Sequence, residues 1–440
     1  MPPLVPPLPI LLLASLSLTL DQNVLSPHLT SISQSFSLTP SQRDTMLGGY
    51  LSGGLFLLGA PASLLIGSLA DSYSRKFLLT FILLLGGLAS LLSSISPNFP
   101  SLFLARSLTG VTLGASMPVT YSILSDLYPP TRRTQVSSVV GISTSLGVGI
   151  GQLLSSMMPE VTGAERWRCA FAVVSLPFFL AAFLVNSQLE EPKRLQSDKL
   201  DKKCDEQPAH EEGRNHTEDK REPQSFLSHI MRTPTALLIY LQGVPGCLPW
   251  SVFSTFLQDY LLHDLGVPSQ TVTATVAAFA AGGIVGQIAG GWGGQLLYNS
   301  DPRYPAVMAC GGGVAGAAFM VRAMGVGVVV RWAHALASGF FACLTGPIVR
   351  GYLSNVTEAR FRGRAFSCFV IFDDLGKGGG PMLVSWAIGR EGRGKVLERA
   401  VWNGWVACAV MVGMIWWTVK GDIERGEIRR KGRGEDKEVV

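Results

Sequence analysis

Apolar residues fall in long runs broken by short polar turns, and the runs have the length of membrane-crossing helices rather than the alternation of strands. In the first half they predict six helices, over about 9–32, 46–69, 77–96, 101–124, 136–157 and 169–185. A second set is predicted over about 235–261, 270–297, 304–324, 327–349, 364–388 and 400–419. Between the sets, residues from about Asn186 to Pro223 mix acids and bases densely with few apolar positions, the composition of a disordered linker. The expected architecture is an all-α membrane protein, with twelve transmembrane helices in two pseudo-symmetric six-helix bundles. The bundles would span 1–188 and 226–419, joined by a charged cytoplasmic linker over 189–225 and followed by a charged cytoplasmic tail over 420–440.

The first run is polar in its middle: Asp21, Gln22, Asn23, Ser26, Pro27, His28 and Thr30 interrupt it. Such residues are tolerated in a membrane only when they face a protein interior or a water-filled cavity. No basic segment precedes this run, so a cleavable signal peptide is not expected.

Sidedness follows from the bases. With the N-terminus inside, the cytoplasmic turns carry Arg75 and Lys76, Arg132 and Arg133, Arg303, and Arg360, Arg362 and Arg364, and the linker and tail lie on the same side. Arg43 and a cluster of Arg390, Arg393, Lys395 and Arg399 fall on the other side and run against the rule locally. The sequons at Asn215-His-Thr and Asn355-Val-Thr are then cytoplasmic and stay unglycosylated.

Composition sharpens the class. Apolar residues make up 47% of the chain and charged residues 15%, where a soluble protein carries roughly a quarter charged. The net charge of +5 does not point to nucleic acid, because the bases lie in turns and the tail. Seven cysteines are scattered without short spacings, which excludes a disulfide framework or zinc motif. No cofactor, metal site or catalytic residue is expected. An intramembrane enzyme is disfavoured, since no His-Asp or Ser-His pair sits at a predicted interface.

The halves repeat each other at an offset of 229 residues. Pro118, Leu124, Ser125, Arg133 and Ser138 meet Pro347, Leu353, Ser354, Arg362 and Ser367. Gly110 meets Gly339, and Gly147, Gly149 and Gly151 meet Gly376, Gly378 and Gly380. The register also shows a difference: Thr144, Ser145 and Val148 correspond to Asp373, Asp374 and Lys377.

Those three charges lie at about mid-depth of the eleventh helix and must face the bundle interior. Lys377 stands at i+4 from Asp373 and i+3 from Asp374, so one base partly neutralises two acids. The remaining negative charge favours protonation of one carboxyl, and alternatively Lys377 binds an anionic headgroup, with the acids holding it charged. Nearby Gly376, Gly378, Gly379, Gly380 and Pro381 predict a broken helix here. A substrate or ion role and an internally paired packing cluster are both open readings. Arg106, with Gly110 and Gly114 on the same helix face, either serves coupling or pairs with a first-helix acid such as Asp21. His28 is expected as a satisfied interior histidine rather than a proton relay. Prolines kink the seventh helix, and two readings are open there: the kink presents Gln242 and Trp250 to a cavity, or the prolines serve kinking alone.

Gly67-Ser-Leu-Ala-Asp71-Ser-Tyr-Ser-Arg75-Lys76, between two apolar runs, resembles the signature of major facilitator superfamily transporters, and Arg106-x3-Gly110-x3-Gly114 resembles their fourth-helix motif. Leu20-Asp21, Ser125-Asp126-Leu127, Trp167-Arg168, Gln242-Gly243, Pro249-Trp250 and the stretch 373–381 are similar to the spinster-like branch, including plant and algal members. The resemblance implies a secondary active transporter working by alternating access. Its partners would be the lipid bilayer, a small organic or lysolipid-like substrate, and protons as coupling ion. It also implies that Asp71, with Gly67, Arg75 and Lys76, gates the cytoplasmic ends of helices 2 and 11. One position departs: the acid that follows the branch's fourth-helix glycines falls on Leu113, which leaves Asp21, Asp373 and Asp374 as the acids for coupling. The alternative is a transport-inactive receptor or scaffold on the same fold.

Overall fold

The computed structural model describes residues 6–128, 130–157, 166–191, 226–325, 330–357 and 362–431. Among these it is helical throughout, without strands. The rods are α1 (Pro7–Ser35), α2 (40–72), α3 (Arg75–Ser94), α4 (Phe99–Leu127), α5 (Pro130–Met157) and α6 (Arg166–Gln188), followed by α7 (234–264), α8 (Ser269–Ser300), α9 (Tyr304–Met324), α10 (Arg331–Val356), α11 (Arg362–Glu391) and α12 (Arg393–Lys431). Ten of them are long and apolar enough to cross a membrane; α5 contributes a shorter apolar stretch over Ser138–Leu154, and α11 carries its charges in mid-helix. The central linker from 192 to 225, including Cys204 and Asn215, lies outside the described residues.

Short turns join several of the rods, 73–74 between α2 and α3 and 95–98 between α3 and α4. One end of the molecule carries the α2–α3 turn and is called the turn end; the other is the far end. Ser74 caps α3 by accepting from Phe77 N–H, and Asn98 with Ser101 forms a reciprocal cap on α4. Within each half, α2 packs on α4 and α8 on α10. These contacts are backbone-close: a Cβ on Gly110 would collide with the Leu55 carbonyl, and one on its repeat partner Gly339 with the Phe279 carbonyl. The halves meet through α2 with α11 and α5 with α8. The second contact is the first with the halves exchanged, as a pseudo-two-fold relation requires.

Three local expectations need correction. α1 is not one rod: it breaks after Gln22 and resumes through a tight turn at Ser26–His28. Asn23 turns its side-chain amide onto the Thr19 carbonyl at 2.8 Å, and Pro27 supplies no N–H to continue the ladder. The predicted break in α11 is absent, since Arg362–Glu391 runs as one helix through its glycines and Pro381. The glycines instead admit neighbours: Gly376 faces the Val244 carbonyl of α7, and Gly378 and Gly380 leave room for Leu57 and Leu248. Finally, the charged tail begins as helix, because α12 continues to Lys431. Asp422 accepts from Thr235 N–H at 2.8 Å and caps the start of α7.

Candidate functional site

The polar break in α1 positions Asp21 inside the first half. Its Oδ2 lies 2.6 Å from Arg106 Nη1 of α4, and neither side chain reaches solvent. Arg106 also donates to the Asp21 carbonyl at 3.2 Å. Ser90 of α3 donates to the other carboxylate oxygen at 2.7 Å and to the Phe171 carbonyl at 3.0 Å. The guanidinium stands over the Phe171 ring, and its Nε has no hydrogen-bond partner. The structure therefore brings Asp21 and Arg106 together as a buried ion pair between α1 and α4, tied to two other helices through Ser90 and Phe171. His28 is buried with Nε2 unpartnered.

A small cavity lies beside that pair, lined among others by Gln22, Phe56, Arg106, Ser254 and Thr255. Ser52 of α2 meets Thr255 of α7 across the interface at 3.2 Å. Phe56, on the cavity wall, has the Lys377 ammonium 5.8 Å from its ring centroid. Lys377 in turn lies 3.4 Å from Asp374 Oδ1, with Asp374 4% exposed and the Lys377 side chain 30% exposed.

The two acids of α11 look in opposite directions. Asp374 Oδ2 would stand 3.3 Å from a Cβ on Gly59, so it abuts α2 of the first half. Asp373 Oδ1 would stand 2.6 Å from a Cβ on Gly243, against α7 of its own half. Gln242 is not delivered to the cavity. Its amide donates to the Ile239 carbonyl at 3.0 Å and accepts from the Cys408 thiol at 3.1 Å. Trp250 likewise packs between Phe279 and Trp405.

At the turn end, Gly67 faces α11, where Ser367 Oγ would lie 3.0 Å from a Cβ on it. The Asp71 side chain lies outside the described residues, whereas Arg364, at the start of α11 where its partner is expected, is described and exposed. Arg75 is 3% exposed, held by Glu191 at 3.2 Å and by Ser122 at 3.2 Å. Glu191 also accepts from Ser74 Oγ at 2.6 Å and from the Lys76 N–H at 2.9 Å. Burial works against the Glu191 carboxylate, but hydrogen bonds from Ser74, the Lys76 and Arg75 N–H groups and the Arg75 side chain outweigh it and hold the group below its usual value. Sequence reasoning missed Glu191 because it opens the charged linker, 115 residues from the turn it closes.

The far end holds a second set that sequence reasoning missed. Arg393, opening α12, reaches Asp259 at 2.7 Å and Asp264 at 2.5 Å in α7, and Asp44 at 3.5 Å in α2. Arg43 reaches Asp44 at 2.9 Å and Asp259 at 3.4 Å. His263 Nε2 stands 3.7 Å from Asp259. Bases that run against the sidedness rule thus bind acids of both halves. The signal was available: each base stood near unassigned acids at one end.

Comparison with known proteins then fixes the family. Residues 11–381 match the Major Facilitator Superfamily profile. Over 174 residues the chain is 29% identical to a putative metabolite transport protein of Haemophilus influenzae, covering 39% of this chain and 40% of that one. It is 34% identical over 155 residues to the 3-(3-hydroxy-phenyl)propionate transporter of Escherichia coli, covering 35% and 36%. Over 173 residues it is 30% identical to human protein spinster homolog 3, covering 39% and 32%. Each match thus spans well under half of the curated relative. Two solved structures share the fold over nearly the whole chain. A bacterial homologue of the human lysosomal transporter Spinster, inward-facing and unoccupied, gives a TM-score of 0.67 at 18% identity over 95% of this chain and 97% of that one. A D-xylose-proton symporter gives 0.69 at 15% identity over 94% and 98%. The profile match over most of the chain, on a fold of pseudo-symmetric helical halves, makes this protein a member of the Major Facilitator Superfamily.

Proposed function

We propose that the protein is a secondary transporter that moves a small organic or lysolipid-like solute by alternating access, with protons as the coupling ion and no covalent chemistry. The halves, 1–188 and 226–419, would rock about the central cavity, which faces the cytoplasm when the turn end opens. The carrying observation is the position of Asp373, Asp374 and Lys377. α11 packs on α7 of its own half and on α2 of the other, and Asp374 touches the α2 side of that interface. A change of charge there acts on the surface that must part for the cavity to open. Asp374 is matched by Lys377, whereas Asp373 has no base in ion-pair contact among the described residues. Asp373 is the acid we assign to proton exchange and Lys377 the group we assign to the solute, with Asp21 and Arg106 holding the first half rigid beside it. The D-xylose-proton symporter and metabolite transporters among its relatives support this reading.

An untargeted comparison of lipids and metabolites in cells with and without the protein identifies the solute, and proteoliposomes then measure its flux. Asp373→Asn should abolish uptake driven by a pH gradient and spare counterflow of solute at equal pH. Lys377→Gln should weaken affinity most. Absence of flux for every accumulated solute would sink the transporter reading. Variants that transport normally per folded molecule but are all less stable would reduce the cluster to a packing role.

A further inference from the structure

Tyr121 and Arg350 stand 229 positions apart and touch, Arg350 Nη1 donating to Tyr121 Oη at 3.2 Å. That is the repeat offset, so each is the other's counterpart. Two counterparts can meet only near the pseudo-two-fold axis, along which the path through such a molecule must run. Arg350 Nε is occupied by the Gly346 carbonyl of its own helix at 3.1 Å. No carboxylate lies in ion-pair contact with its guanidinium among the described residues, and Asp373 acts on it only through space. Cys343 is the other titratable group that acts on it, besides Tyr121.

A second polar group faces the same place. A Cβ on Gly346 would lie 2.8 Å from Arg350 Nη2 and 4.0 Å from Gln287 Nε2 of α8. Gln287 is 8% exposed, and its Oε1 has no hydrogen-bond partner. A buried amide with an unmade bond is costly, and either amide atom can be turned towards a ligand. Gly141 of α5 keeps this space open from the other half, since a Cβ there would stand 2.7 Å from Gln287 Oε1. An arginine without a carboxylate, a hydroxyl and an unsatisfied amide, drawn from α4, α8 and α10, make a set of donors for a planar or tetrahedral oxyanion.

We propose that Arg350, Tyr121 and Gln287 form an oxyanion site on the pseudo-two-fold axis, which takes the carboxylate or phosphate of the transported solute on the turn-end side of Lys377. Asp373 and the bound anion then compete for the field of one guanidinium. Neutral Asp373 and bound anion favour each other, which links anion and proton by reciprocity. The inference deepens the transporter reading but is tested by binding alone, so a failed flux assay and a failed site are distinguishable.

The experiment follows thermal stabilisation of the purified full-length protein in titrations with laurate, dodecyl phosphate, inorganic phosphate and uncharged dodecanol. Stabilisation by laurate or dodecyl phosphate but not inorganic phosphate identifies a lipid-borne anion; stabilisation by inorganic phosphate identifies a free one. Arg350→Gln should weaken the anion response roughly tenfold or more, with Arg350→Lys intermediate and dodecanol unaffected. Asp373→Asn should strengthen it. Where Arg350→Gln does not fold, Tyr121→Phe and Asp373→Asn give the reading, one weakening and the other strengthening. An anion response unchanged in these variants, equal losses for dodecanol, absence of any anion response, or weaker anion binding in Asp373→Asn would each overturn the site.

Discussion

Thr30 Oγ1 donates a 2.5 Å hydrogen bond to Asp259 Oδ1, and the two residues stand 229 positions apart, the offset at which the sequence repeats. Like Tyr121 and Arg350 at the turn end, they are counterparts that meet, here at the far end. The two contacts mark the ends of one pseudo-two-fold axis. Asp259 is also the acid shared by Arg43 and Arg393, so the far end is latched at the axis itself.

The latch should control opening of the far end. Asp259 is 3% exposed, and breaking a buried ion pair by removing one partner costs roughly 3–5 kcal/mol. Asp259→Asn should therefore shift the population towards a far-end-open state. Electron–electron distance measurements between spin labels at Gln34 and Ser269, both exposed at that end, should show a longer component. An unchanged distance distribution in a folded Asp259→Asn protein would remove the latch from gating.

Asp21 and Arg106 make a different prediction, because their pair lies inside one half. Asp21→Asn or Arg106→Gln alone leaves a buried charge uncompensated and should cost roughly 3–5 kcal/mol in stability. Replacing both by Asp21→Leu and Arg106→Met should recover most of that loss, since an apolar pair of similar volume removes the desolvation penalty. Transport in the recovered double variant separates roles: normal flux means the pair only holds α1 to α4, and lost flux means its charge takes part in coupling.

Much of this was legible in the chain. Long apolar runs gave the rods, and the repeat offset gave the relation between the halves. The mid-helix charges of α11 could be recognised because charge at bilayer depth is costly. The Asp21–Arg106 pair was legible as one of two readings, since a first-helix acid and a fourth-helix base both needed a partner. What could not be read were contacts between distant turns. Glu191 looks like one acid among many at the start of a charged linker, and its role appears only when the fold carries it to Ser74. The far-end bases read as violations of sidedness because only the fold gathers Asp44 of one half with Asp259 and Asp264 of the other around Arg43 and Arg393. Gln242 was misplaced because helix rotation, not sequence, decides whether an amide meets a cavity or Cys408.

Orientation is open to a direct test with thiol reagents. In a background with Cys169→Ser and Cys204→Ser, which removes an exposed native thiol and the thiol of the central linker, Gln34→Cys should react with a membrane-impermeant maleimide added outside cells. Asn355→Cys, exposed near the turn end of α10, should react only after permeabilisation. The reverse pattern would invert the assigned topology, and with it the cytoplasmic placement of both sequons.

Glu191 supplies the pH dependence. In the folded protein its carboxyl titrates below the ordinary value of 4.5, so its contribution to stability is fully present above pH 4.5 and is lost as pH falls through the lower folded value. The side chain is 37% exposed, and solvent screening keeps the effect modest. Glu191→Gln should lower the melting temperature at neutral pH, and the gap to the unmodified protein should close as the pH is taken below 4.5. Because Glu191 anchors the first residues of the central linker to Ser74, Arg75 and Lys76, the same substitution should also free that segment. Protease cleavage between α6 and α7 should then be faster at neutral pH in Glu191→Gln, with the two proteins converging in acid. A melting difference independent of pH, with cleavage unchanged, would assign Glu191 to packing alone and leave the turn end without its linker clasp.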